Sequence, residues 1–169
     1  MSEGIINKVA ESGLVTLDLG DYYPVEEVKI FDLREFLFRG LILKEKEFRD
    51  SLKNMDWEAF RNKNVGIVCS ADAIIPPWAY MLVAASLQPV AASVMMGDEK
   101  HVISTLLLKR IGEIAPENFA DQRVVIKGCG EKQIDESAYL EITRLLVPVA
   151  KTIMYGEPCS TVPVFKRKG

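Results

Sequence analysis

From residue 64 onward, apolar positions fall in short β-branched runs that alternate with longer stretches of helical period. The runs at 65–68, 90–95 and 124–126 are strand-sized, and the segments at about 77–88, 99–114 and 136–154 are helix-sized. This alternation predicts right-handed βαβ crossovers and a largely parallel sheet with helices on both faces, a three-layer α/β fold. Ahead of it the pattern is mixed. Residues 5–10 suit a short helix, 14–19 alternate as LVTLDL in strand fashion, and 28–31 suit a second strand. The turn DYYP separates these strands, which extend the sheet at its edge, antiparallel there. Asp32 is placed to cap a helix running to Gly40, and residues 44–57 have the charged, amphipathic character of another. No internal repeat, low-complexity tract or linker is evident, so residues 1–169 read as one α/β domain, and a chain of this length buries a sizeable core.

The three cysteines all fall at turns of this pattern. Cys69 lies in VCSADAIIP, Cys129 in KGCGEK and Cys159 in GEPCSTVP. Cys69 follows the first strand of the regular region and Cys129 the third, while Asp98 follows the second. Ligands of open α/β sheets bind outside the carboxyl ends of the strands, so these residues share the edge where a site is expected. Cys159 is harder to place. A single helix over 136–154 would carry the chain roughly 28 Å to the opposite edge, and five extended residues recover only about 17 Å. Cys159 rejoins the others if Pro148 breaks the helix, if the tail doubles back, or if a second subunit supplies it, which points to a homo-oligomer, a dimer.

Charge narrows the choice of partners. With 24 acidic and 21 basic side chains, the chain lacks the field that gathers nucleic acid or an anionic membrane surface. No side chain from 73 to 97 is charged, a length that would cross a bilayer. Gln88 and Pro89 interrupt it, however, and the half that follows is strand-sized, so a buried helix followed by a buried strand is expected. An odd cysteine count without short-range pairs favours a reducing cytoplasm over a disulfide framework, and the first residues lack the pattern of a secretory signal.

Three thiolates suit zinc, iron or an iron–sulfur cluster. Cys69, Cys129 and Cys159 are the candidate ligands, joined by Asp72 of the Cys-Ser-Ala-Asp turn, with Asp98, Glu157 and the sole histidine, His101, as alternatives for the fourth position. No Cys-x-x-Cys knuckle supports the set. A second reading makes Cys69 a nucleophile for sulfur or acyl transfer, activated by the start of a helix that Pro76 and Pro77 would open. It requires His101 as base, and that residue reads as a solvated helix-start side chain. A third reading is a non-catalytic partner-binding domain, in which the cysteines are small residues that fit, Gly128 and Gly130 shape a turn, and Trp57, Phe60, Trp78 and Tyr80 pack a core.

The segments CSADAIIPPWAYML, VVIKGCG and MYGEPCSTVPVFK, with SGLVTLDLGDYYP and GLILKEKEFR before them, resemble in order and over nearly the whole chain a bacterial family catalogued as domain of unknown function 2480. The resemblance implies no catalytic residue, because the family has no assigned activity. All three cysteine motifs match the family pattern, which favours a shared site. The family's association with gene neighbourhoods for iron–sulfur cluster assembly implies a metal- or sulfur-handling accessory role, with iron–sulfur assembly proteins as partners.

Overall fold

Residues 13–128 and 130–169 are described by the computed structural model of the chain; the helix expected at 5–10 lies outside them. Strand β1 (Leu14–Asp18) comes first, followed by β2 (Val28–Asp32), helix α1 (Glu45–Lys53), β3 (Asn64–Val68), α2 (Pro77–Leu87) and β4 (Ser93–Met96). Then come α3 (Glu99–Gly112), β5 (Arg123–Lys127), α4 (Glu136–Leu146), β6 (Thr152–Glu157) and β7 (Ser160–Lys166). The α/β class holds, with largely parallel strands flanked by helices. The strands form two sheets, however, ordered β2-β3-β4 and β1-β5-β6-β7.

Contacts group the chain into two compact units. A continuous unit spans Val25–Ile103, and a split unit combines the residues up to Pro24 with Ser104–Gly169. Each N-terminal strand heads one sheet, β1 pairing with β5 and β2 with β3, and both pairings are parallel rather than antiparallel. The antiparallel edge strand is instead β7, on β6. The segment expected to end a long helix and trail off as a tail is thus a hairpin.

Proline explains that difference. α4 stops at Leu146 because Pro148 has no amide to continue the ladder. The amides of Val149 and Ala150 both turn back to the Leu146 carbonyl, releasing the chain into β6. The same device ends α2: Pro89 stands two residues past Leu87, and the amides of Val90 and Ala91 turn back to the Leu87 carbonyl.

That coincidence extends over both units and reveals a repeat that is not evident from the pattern alone. Residues 45–98 and 104–157 correspond with a constant spacing of 59 positions. Val65 and Val124, Ile67 and Ile126, Tyr80 and Tyr139, Pro89 and Pro148, Met95 and Met154, and Gly97 and Gly156 are identical pairs. Strand registers match as well, Asn64 facing Ser93 as Arg123 faces Thr152. Asn62 and Asp121, with φ of 58° and 57°, make the same left-handed step into β3 and β5. Asp18 and Asp32 each end a first strand and accept the amide two residues on, from Gly20 at 2.8 Å and from Arg34 at 2.9 Å. The expected helix after Asp32 is accordingly a single 3-10 turn, Leu33–Phe36.

The cores match position by position. In the continuous unit Phe31, Phe48, Val65, Ile67, Val83 and Leu87 are buried together; in the split unit Leu17, Leu107, Val124, Ile126, Ile142 and Leu146 hold the corresponding places. Trp57, Trp78 and Tyr80 pack against the first cluster, as expected of core aromatics. No helix among the described residues is long and apolar enough to cross a membrane.

Gly97 and Gly156 close the last parallel strand of each unit at φ of 124° and 122°, a conformation that L side chains rarely adopt. A Cβ on Gly156 would also stand 2.5 Å from the Ser160 carbonyl oxygen, a backbone atom with little freedom to move. Gly156→Ala is therefore expected to lower unfolding free energy by about 1–3 kcal/mol. Gly112→Ala, at a helical position with open space around it, should be neutral or stabilising by up to about 1 kcal/mol. Denaturant titration of both variants checks the pair.

Candidate functional site

The carboxyl ends of the parallel strands carry the polar chemistry of each unit. In the continuous unit Cys69 directly follows β3, half-buried, its thiol 3.6 Å from the Ala71 carbonyl oxygen. Asp72 is exposed in the loop beyond it. Burial first, and then the neighbouring Cys69, hold the Tyr80 phenol above its ordinary pKa. The repeat accounts for this neighbourhood. Cys69 corresponds to Gly128, and Tyr80 to Tyr139, whose hydroxyl occupies the space that a Cβ on Gly128 would need.

Cys159 sits exposed in the two-residue turn between β6 and β7. Because Pro148 breaks the helix and β6 runs parallel to β5, Cys159 reaches the strand-carboxyl edge of its own sheet within one chain. Cys69 and Asp72 belong to the continuous unit and Cys159 to the split unit; Cys129 lies outside the described residues. Among the described residues, no three His, Cys, Asp or Glu side chains gather as a metal would require. His101 is exposed in the first turn of α3, its amide bonded to the Asp98 carboxylate at 2.9 Å.

Three charged groups meet at the split unit's carboxyl edge. Lys127 ends β5 between Glu157 of β6, at 3.2 Å, and Asp18 of β1, at 3.9 Å. The same unit has a cleft of about 350 Å³ lined by Ile126, Tyr139, Leu140, Met154, Tyr155 and Val164, with Thr143 on its wall. Tyr139 and Tyr155 meet edge to face with centroids 5.6 Å apart. Leu140 is 68% exposed and Tyr155 49%. Their counterparts across the repeat, Met81 and Met96, are 69% and 57% exposed. Sequence patterning misses these residues because an apolar side chain on a helix or strand reads as core. The recurrence of Pro-Val-Ala, Met and Gly at 89–97 and 148–156 is the signal that could have exposed them.

Asp32 is the most strongly held acid at the continuous unit's edge. Burial opposes its ionisation, yet the Ser70 hydroxyl, the Ser70 amide and the Arg34 amide all donate to its carboxylate, with the Arg34 charge adding to them. The balance places its pKa below the ordinary aspartate value. A depressed folded value contributes stability that is complete above the unfolded pKa, about 3.9, and is lost as pH falls through the folded value. Ser70→Ala should raise the Asp32 midpoint in a carboxyl-detected NMR titration. It should also be less stable than the wild type at neutral pH, with the gap closing in acid.

Compared with known proteins, the chain matches no curated protein and no solved structure. The model of one protein family, described as "Protein of unknown function (DUF2480)", matches residues 3–167. With that match spanning nearly its whole length, the chain belongs to this DUF2480 family.

Proposed function

We propose that the protein is a non-catalytic partner-binding module whose contact face lies on α4 and the β6–β7 hairpin, and whose ligand is a protein segment presenting apolar side chains. The observation that carries this reading is the recurrence of the exposed apolar pair, Leu140 with Tyr155 in one unit and Met81 with Met96 in the other. Isolated exposed apolar residues need no explanation. These have stayed large and apolar in both copies, while neighbouring positions on the same two helices changed character, Leu82 against Glu141 and Ala85 against Arg144.

The chemistry of the cleft favours a protein over a small molecule. Small-molecule sites fix orientation with a few convergent polar groups. Here the Thr143 hydroxyl already donates to the Tyr139 carbonyl at 2.7 Å, and the remaining lining residues offer mainly hydrocarbon and aromatic surface. Such a surface suits the apolar anchors of a protein interface.

A photo-reactive phenylalanine analogue at position 140, introduced in the native host, identifies the partner. The purified partner should then bind the wild-type chain and lose at least about tenfold in affinity, about 1.4 kcal/mol, with Leu140→Lys or Tyr155→Lys, as expected for anchor residues. Cys69→Ser and Cys159→Ser should leave binding unchanged. Zinc, iron or an iron–sulfur cluster that copurifies stoichiometrically and is lost on substitution of Cys69, Cys129, Cys159 or Asp72 would replace this reading with the metal-binding accessory one. A Cys69 thiol alkylated far faster than the others would replace it with the thiol-transfer one.

A further inference from the structure

The two units differ at one place where the repeat makes them comparable. In the split unit the outer edge of β6 is covered by β7, antiparallel, with Ile153 opposite Phe165 and Tyr155 opposite Val162. In the continuous unit the corresponding strand, β4, is the edge of its sheet among the described residues. The Gly97 amide donates to the Ile67 carbonyl at 3.1 Å. Alternation along a parallel strand then turns the peptide groups of Ser93 and Met95 toward β3 and those of Val94 and Met96 outward. These are the counterparts of Ile153 and Tyr155, the residues that face β7. Ile153 is fully buried under that cover, whereas Val94 is only half-buried.

We infer that β4 is a docking edge, and that its occupant is β4 of a second copy of this chain. Exposed edges are normally protected by charge, proline or irregularity. β7 carries Pro163, Lys166 and a register shift; β2 carries Lys29, and β1 ends on Asp18. β4, of sequence SVMM, carries none of these, and no residue from 73 to 97 is charged. A twofold axis sets two β4 strands antiparallel, the sense that β7 takes on β6. Pairing centred near Met95 places Asp98 opposite the second copy's Ala92, so no carboxylate meets another across the axis. The inference rests on the sheet edge and is independent of the cleft on α4.

Sedimentation equilibrium of the full-length chain, with hydrogen exchange read at single amides, tests it. The wild type is expected to be a dimer whose Val94 and Met96 amides are protected and lose that protection on dilution. Met96→Lys and Met96→Glu, at a 57% exposed side chain, should each shift the chain to monomer with an unchanged circular dichroism spectrum. An equimolar mixture of the two should restore the dimer, which a folding defect would not do. A monomeric wild type overturns the inference. So does a dimer that survives both substitutions, or one in which the two amides exchange freely. Leu140→Lys, which is expected to weaken the binding proposed above, should leave the dimer intact, so the two proposals fail separately.

Discussion

Covering one face of three parallel strands with the helices that connect them is the constraint on which each half of this chain depends. A parallel pair cannot be joined by a tight turn, so the connection must cross over, and a right-handed crossover lays its helix against the sheet it has just left. Val65 and Ile67 in one sheet, and Val124 and Ile126 in the other, are the strand residues that this burial removes from water. The helix residues packed with them, Ala79, Val83 and Leu87 or Ala138, Ile142 and Leu146, recur with the same spacing, one turn apart on one helix face.

Once that burial is satisfied, what remains is edges and ends. The carboxyl ends collect the polar groups: Asp32 with Ser70 and Cys69 beside Tyr80 in one unit, Asp18, Lys127 and Glu157 in the other. The two units differ in chemistry here. A glycine at 128 leaves room for the Tyr139 hydroxyl, and a cysteine at the matching position fills the space beside Tyr80. The outer strand edges differ too, since a hairpin closes one and, among the described residues, β4 forms the other.

Much of this was legible from residue patterns, and the failures share a cause. Strands β3 to β5 and helices α2 and α3 lie within a few residues of their expected places because β-branched runs and helical periods are local properties. The pattern alone carries the last helix on to residue 154 because residues 149–154, VAKTIM, have enough apolar character to continue a helix. Only the position of Pro148 in a chain that must return to the sheet makes them a strand. The repeat is not evident from the pattern because its identities are sparse, and at the buried positions any apolar residue of similar size fits. The exposure of Leu140, Tyr155, Met81 and Met96 is not legible for the related reason that periodicity reports apolar character without reporting exposure.

The sequence by itself determined the α/β class, the parallel crossovers, the capping role of Asp32 and the placement of Cys69 and Cys159 just past strand ends, since each follows from interactions within a few residues. Tertiary structure decided which strands share a sheet, how the chain divides into two like units, that Cys159 returns to the carboxyl edge of its sheet, and which apolar side chains stay in water. Those outcomes depend on hydrogen bonds and burial between residues distant in the chain. β1, for example, passes over all of β2 to β4 to pair with β5, and nothing in its own five residues distinguishes that partner from the nearer ones.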